Sequence, residues 1–166
     1  MNDDTSPALS GRVLSLHVHV AEPGAPLQAV GMVEAIEGKG IAGDPRYFGR
    51  VSRQTGEPSR RHVSLIEREQ IAEHAASLGL ASISRGAVRA QIETEGINLV
   101  ELVGLEVEIG EAVLYFFAPR TPCAKMDAVC EGLRQLMMND RQGVVAEVLR
   151  SGKIRPGDLI RPRPGK

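Results

Sequence analysis

The sequence predicts a mainly β domain of the α+β class, a closed or nearly closed β-barrel of about seven short strands with two helices. Three observations carry this expectation. The apolar residues fall in short runs of strand length, several of them alternating with polar residues. Eighteen glycines and ten prolines punctuate the 166 residues, as many short elements joined by turns require. The helical stretches do not alternate regularly with the strands, which argues against a doubly wound sheet.

The elements follow in order. In "VLSLHVHV" (13–20), Leu14, Leu16, Val18 and Val20 share one face, and Ser15, His17 and His19 the other, as in a half-buried strand with its histidines exposed. "MVEAI" is a second strand, and a long Gly- and Arg-rich loop runs from Gly38 to Arg61 before the third strand, "HVSLI". Ser64 and Glu67 have the spacing of a capping box for a helix that carries Ile71, Ala75 and Leu78 on one face and stops at Gly79. "VRAQIE" reads as a strand, "NLVELVG" as a short helix or turn, and "LEVEI" with "AVLYFF" as a hairpin around Gly110 and Glu111. Residues 122–138 read as the second helix, followed by late strands "VVAEVL" and "DLI", joined through Gly152 and an "RPGD" turn that makes Asp158 structural. Residues 1–11 and 163–166 are expected to be flexible ends around a single domain, 12–162.

At this length one domain buries roughly 70% of its unfolded surface. Aromatics are 3% and tryptophan is absent, so the core must be aliphatic. A net charge of -1 speaks against general attraction to nucleic acid or anionic membrane. The most apolar window, 97–119, is interrupted by Glu101, Glu106, Glu108 and Glu111, and the acidic start "MNDDTSPALSG" lacks the pattern of a signal peptide. Two cysteines in that setting imply free thiols in a reducing compartment, and a cytoplasmic protein.

Both cysteines lie in "FAPRTPCAKMDAVCEG". Thr121 suits an N-cap and Pro122 the first helical position, which puts Cys123 in the first turn. There the helix dipole, Arg120 and Lys125 favour a thiolate. Cys123 therefore reads as a reactive thiol, the alternative being a small buried hydrophobe. Cys130 lies about 10 Å further along a helix, too far for a disulfide or for joint chelation, and with Met126, Leu133 and Met137 it reads as core packing.

Arginine outnumbers lysine sixteen to four, which suits the recognition of phosphate or carboxylate and also follows from a GC-rich genome. Arg46, Arg50, Arg53, Arg60 and Arg61 stand on the loop against only Asp44 and Glu57, either as a phosphate clamp or as solvated charge. Arg89, beside apolar residues, needs a partner, whether a ligand phosphate, Glu93 or Asp44. His17 and His19 have an H-x-H spacing able to bind metal, though exposed strand histidines are common. His62 and His74 read as surface residues.

The chain resembles a stand-alone MOSC domain, the module at the C-terminus of molybdenum cofactor sulfurases and in mitochondrial amidoxime-reducing proteins. The resemblance covers about residues 12–161 and rests on "GIAGDPRY", "RHVSLIEREQI", "RAQIETEGINLVELVG", "IGEAVLYFFAPRTPC" and "GVVAEVLRSGKIRPGDLI", in that order. It implies a β-barrel with a cleft in which Cys123 carries sulfur as a persulfide or ligates molybdenum. Ser64, Arg89 and Gln91 would help hold the pyranopterin molybdenum cofactor, joined by Asp44, Arg46 and Arg61. The family more often has Asn where Gln91 stands, and His or Trp where Tyr47 stands. No pyridoxal phosphate is expected.

The resemblance implies a sulfur carrier or sulfurtransferase for the molybdenum cofactor, partnered by a cysteine desulfurase, a molybdoenzyme or an electron-donor protein. Its alternatives are a molybdenum-dependent reductase of N-hydroxylated compounds, a non-catalytic module for an anionic cofactor, and a free-standing thiol sensor.

Overall fold

The structure is a computed structural model that describes residues 10–122 and 125–163. Within them the strands are β1 (Gly11–Val18), β2 (Gln28–Val30), β3 (Val33–Ile36), β4 (Gly40–Ile41), β5 (Val63–Glu67), β6 (Ile92–Glu95), β7 (Glu106–Ile109), β8 (Ala112–Pro119), β9 (Val144–Arg150), β10 (Gly152–Ile154) and β11 (Leu159–Pro162). The helices are α1 (Arg68–Ser77), α2 (Lys125–Val129) and α3 (Leu133–Leu136), with a 3-10 turn at Leu99–Leu102.

Seven strands close into a ring in the order β11-β7-β8-β9-β5-β6-β1, and β1 returns to β11 through Gly11–Ile160 and Arg12–Leu159. The expected closed barrel is present. β5 and β6 run parallel, with α1 as their crossover, while the other pairs in the ring are antiparallel. β2 hangs on β1, and β10, β3 and β4 form a separate small sheet.

The ring encloses an aliphatic interior that includes Val13, Leu16, Leu65, Ile92, Val107, Leu114, Val144 and Ile160, with Phe116 as its one large ring. A second cluster lies outside the barrel wall, where Ile66, Ile71, Ala75, Met126, Leu133 and Met137 pack together. Leu65 and Ile66 alternate between the two clusters, so all five residues of β5 are buried. A strand coated on both sides loses the polar face that alternation predicts.

β1 is corrected for this reason. Its presumed solvent face is buried at Ser15 and His17, and His19 just beyond it is buried as well. His62 and His74, expected on the surface, are buried too. His62 Nδ1 accepts a hydrogen bond from the Val148 N–H, and His74 Nε2 donates to the Arg141 carbonyl. Burial lowers the pKa of His17, His62 and His74, so each favours a neutral ring.

Three element boundaries differ from expectation. The capping box does not form: Ser64 lies within β5, α1 begins at Arg68, and the Glu67 carboxylate accepts instead from the Leu99 N–H at 3.0 Å. The strand expected over "VRAQIE" starts only at Ile92, because Arg89 closes a turn with φ of 65° and its N–H bonds to the Gly86 carbonyl. The helix expected over 122–138 is broken by Gly132, at φ of 94°, into α2 and α3. Asp127 Oδ1 then accepts from the Arg134 N–H of the second piece. Cys130 sits at the break, half-buried rather than in the core. The "RPGD" turn forms as expected, with Asp158 Oδ2 accepting from the Arg155 N–H at 2.7 Å.

Candidate functional site

A cleft of about 450 Å³ opens beside the barrel wall, lined by His19, Arg46, Tyr47, Arg61, Ser64, Arg89, Arg120, Thr121, Lys125, Met126 and Gln142. Five of these side chains are cationic and none is a carboxylate. They arrive from the loop after β4, the turn before β6, the end of β8 and the start of α2.

The cationic lining rests on a buried polar hub. Asp44 is 2% exposed. Its Oδ2 accepts from the His19 N–H at 3.1 Å, the His19 Nδ1–H at 2.9 Å and the Gln91 Nε2–H at 2.9 Å. Its Oδ1 accepts from the N–H groups of Arg46 and Tyr47, which fixes the loop that presents both side chains. Burial alone would raise the Asp44 carboxyl; the hydrogen bonds from His19 and Arg46 outweigh it and hold the group well below the usual carboxylate range. An ionised carboxylate only accepts, so Nδ1 of His19 carries the proton and Nε2 is the ring's remaining acceptor when the imidazole is neutral.

Gln91 ties this hub to the barrel. Its Oε1 accepts from the Ser64 N–H at 3.0 Å, and its own N–H donates to Ser64 Oγ at 3.2 Å. Ser64 faces the cleft, whereas Gln91 and Asp44 lie behind the lining and position it.

Tyr47 gathers the positive charge. Arg61 and Arg50 lie over its ring at 5.4 and 5.7 Å, and His19 meets it edge-on at 5.1 Å. Burial pushes the phenol up, but Arg61, Arg46 and Arg120 prevail and hold it below the ordinary tyrosine value. The guanidinium of Arg89, half-buried, donates to the Ala25 carbonyl at 2.7 Å rather than to Glu93 or Asp44. Glu93 is taken by Arg68 at 3.1 Å. Arg120 is held by carbonyls: its backbone N–H donates to Gly143, and its guanidinium to Val88 and Arg89.

Of the loop arginines, Arg46 and Arg61 reach the cleft. Arg60 turns away to Glu147 and stacks on Phe117 at 4.7 Å, and Arg53 is exposed. Cys123 lies outside the described residues. Thr121 and Lys125, two positions before and after it, both line the cleft. Among the described residues no group of three His, Cys, Asp or Glu side chains is arranged to hold a metal. His17 and His19 are committed separately, His17 Nδ1 donating to the Ala90 carbonyl at 3.1 Å and His19 to Asp44.

Two contributors gave little sequence signal. His19 reads as an exposed strand residue until Asp44 is seen beneath it. Gln142 sits in an unpatterned loop, yet it is 1% exposed, lines the cleft, and its Oε1 has no donor among the described residues. An orphaned acceptor on a cationic wall fits a ligand carrying both N–H donors and an anionic group, as a pterin phosphate does.

A closed barrel with a cationic, hydrogen-bonding cleft on its wall defines the class: a β-barrel domain with a polar cleft of small-molecule size. The particular family follows from the sequence: the family profile for the MOSC domain matches residues 38–161, and the chain belongs to that family, which is associated with the molybdenum cofactor. No protein of curated function matches the sequence. Among solved structures, the YuaD protein from Bacillus subtilis is similar over 95% of this chain and 97% of its own, at 19% identity and a TM-score of 0.80. YiiM from Escherichia coli is similar over 93% and 71%, at 18% identity and a TM-score of 0.66. YiiM from Geobacillus stearothermophilus is similar over 93% and 75%, at 16% identity and 0.69. At these identities the likeness establishes the fold alone. Among the described residues no helix is long and apolar enough to cross a membrane.

Proposed function

We propose that the cleft seats the pyranopterin molybdenum cofactor and that Cys123 is its working sulfur, as a persulfide carrier in a sulfurtransferase-type reaction. The observation that supports this reading is the lining itself: cations converge on the cleft from separate parts of the chain, and Thr121 and Lys125, two positions before and after Cys123 in sequence, are among the lining residues. Arg46, Arg61, Arg89 and Lys125 would hold the phosphate, and Ser64 and Gln142 the polar rim of the pterin. When bound, the cofactor supplies a molybdenum centre for which thiolate is a suitable soft ligand.

The remaining chemistry belongs to the chain. The Cys123 thiolate attacks the outer sulfur of a donor persulfide, a new S–S bond forms as the donor's own breaks, and the donor leaves as a thiolate. Such an exchange is redox-neutral and needs no residue beyond Cys123 and a group that keeps its sulfur ionised. In this reading Arg120 and Lys125, close to Cys123 in sequence, would serve that purpose.

The test combines cofactor analysis with one substitution. Protein from a molybdate-replete host should carry pterin and molybdenum. Wild-type protein incubated with a persulfide donor should gain the mass of one sulfur on the peptide bearing Cys123, and Cys123→Ser should not. If sulfur transfer or N-hydroxyl reduction persists undiminished in Cys123→Ser, the thiol has no role in it; if the wild-type protein carries the cofactor but gains no sulfur and reduces nothing, the domain is a non-catalytic binder of an anionic cofactor.

A further inference from the structure

Three carboxyl groups are buried among the described residues, those of Asp44, Glu67 and Glu93. Asp44 spends both oxygens on His19, Gln91 and its own loop. Glu93 accepts from the Arg68 guanidinium at 3.1 Å and from the Gly86 N–H at 2.9 Å. Glu67, 6% exposed, differs from both. Its Oε2 accepts from the Leu99 N–H at 3.0 Å, but among the described residues no donor meets Oε1 and no cation pairs with the carboxylate.

Glu67 lines a hollow of about 390 Å³ that shares no lining residue with the cationic cleft. The rest of its wall comes from Glu69, Gln70 and Glu73 of α1 and from residues 96–98, which lead out of β6. Its lining side chains include carboxylates and no cation. Glu69 Oε2 accepts from the Gly96 N–H at 2.7 Å, and Glu73 pairs at the surface with Arg141 at 3.4 Å. Gln70 repeats the pattern of Glu67, its Oε1 being buried with no donor among the described residues. Acidic side chains suit the positive end of a helix, which accounts for Glu69 in the first turn of α1 but leaves the two unmatched acceptors unexplained. Burial raises the Glu67 pKa, and the N–H groups of Leu99 and of Glu67 itself offset this only in part. Glu69 and Glu73 raise it further, so a cation in the hollow would favour the ionised form.

The missing partner is an N–H donor that carries positive charge. A metal ion needs several ligand atoms converging on one point, and among the described residues no three His, Cys, Asp or Glu side chains are so arranged. An ammonium group has three donors and no acceptor, and each donor can meet its own oxygen. We infer that this hollow binds a primary alkylammonium, with Glu67 Oε1 and Gln70 Oε1 accepting its N–H groups, Glu67 and Glu69 balancing its charge, and Ile97 meeting its methylenes.

The experiment follows the backbone amide signals of Gly96 and Leu99 by NMR as butylammonium, guanidinium, tetramethylammonium or Mg²⁺ is added at fixed pH and ionic strength. Butylammonium should bind about tenfold more tightly than tetramethylammonium, which has the charge but no N–H. Glu67→Gln keeps an acceptor for Leu99 and should weaken butylammonium binding about tenfold, and Gln70→Leu should weaken it about threefold. Absence of saturable butylammonium binding, equal binding of tetramethylammonium, or an affinity that either substitution leaves unchanged overturns the proposal. Tighter binding of guanidinium or of Mg²⁺ overturns it as well, in favour of a guanidinium head group or a metal ion. Gln70 is only half-buried, so Gln70→Leu keeps the comparison decisive if Glu67→Gln does not fold.

Discussion

Asp44 Oδ2 accepts two hydrogen bonds from a single residue, His19, through the backbone N–H at 3.1 Å and the ring Nδ1–H at 2.9 Å. That carboxylate joins the end of the first strand to the arginine loop and, through Gln91, to the barrel wall. Its lowered pKa makes it a stability element with a definite pH window. The unfolded carboxyl titrates near ~4, so its contribution is complete above that pH and is lost as pH falls toward the depressed folded value. Asp44→Asn should destabilise the protein by on the order of 3 kcal/mol at pH 7 and flatten the acid limb of its stability profile below about pH 5. Urea denaturation across a pH series checks both, and an unchanged acid limb in the variant rules the linkage out.

Glu67 has the opposite sign. Burial is the main cause of its raised pKa, outweighing the hydrogen bond from the Leu99 N–H, and its Oε1 has no partner among the described residues. Ionisation is therefore resisted in the folded state, and stability declines as pH rises through the folded pKa. Glu67→Gln keeps an acceptor for Leu99 and removes the charge, so it should raise the melting temperature by more at pH 8 than at pH 4. Calorimetry at the two pH values decides it.

Gly143, at φ of 77°, leads into β9, and a Cβ there would run into the Leu65 carbonyl oxygen and the backbone of Ile66. Its own carbonyl holds the Arg120 N–H at 2.9 Å. Gly143→Ala should cost ~3 kcal/mol or more, by steric overlap and left-handed strain together. Gly157→Ala, also at positive φ but with open space around it, should cost only about 1 kcal/mol. Chemical denaturation of the two variants separates crowding from conformation.

Arg89 couples strain to recognition. It is held at φ of 65°, where a non-glycine residue is disfavoured, and points its guanidinium into the cleft wall. Arg89→Gly should relieve about 1 kcal/mol of backbone cost and lose a hydrogen bond of about 1 kcal/mol to Ala25, leaving stability nearly unchanged. Phosphate affinity should nevertheless fall about tenfold, the effect of one charge-assisted contact. Titration calorimetry beside thermal melts would show whether the two properties separate.

The hairpin of β7 and β8 was legible because alternation, β-rich composition and Gly110 all agree. β4 and β10, two and three residues long, leave too short a pattern to find. The histidines misled for a physical reason. A polar residue on an alternating strand is assumed to face water, but here helices and loops coat the outside of the barrel and the polar face is buried in hydrogen bonds. "VRAQIE" misled because apolar neighbours on a buried turn look like those on a strand, and only the φ of Arg89 distinguishes them. Residues from separate parts of the chain meet at the cleft, and charge alone could mark Arg46 and Arg61 as candidates. The reliance of Tyr47 and the arginines on Asp44 and His19 is long-range, and local patterns do not encode it.

Because residues 11–12 must find residues 159–160 to complete the ring, a nascent chain cannot close the barrel until residue 160 has left the ribosome. Until then the two strands flanking the missing place hold unpaired backbone groups, open to pairing with a neighbouring copy. Slow elongation through the codons that precede residue 160 would prolong that interval, and with it the exposure to aggregation.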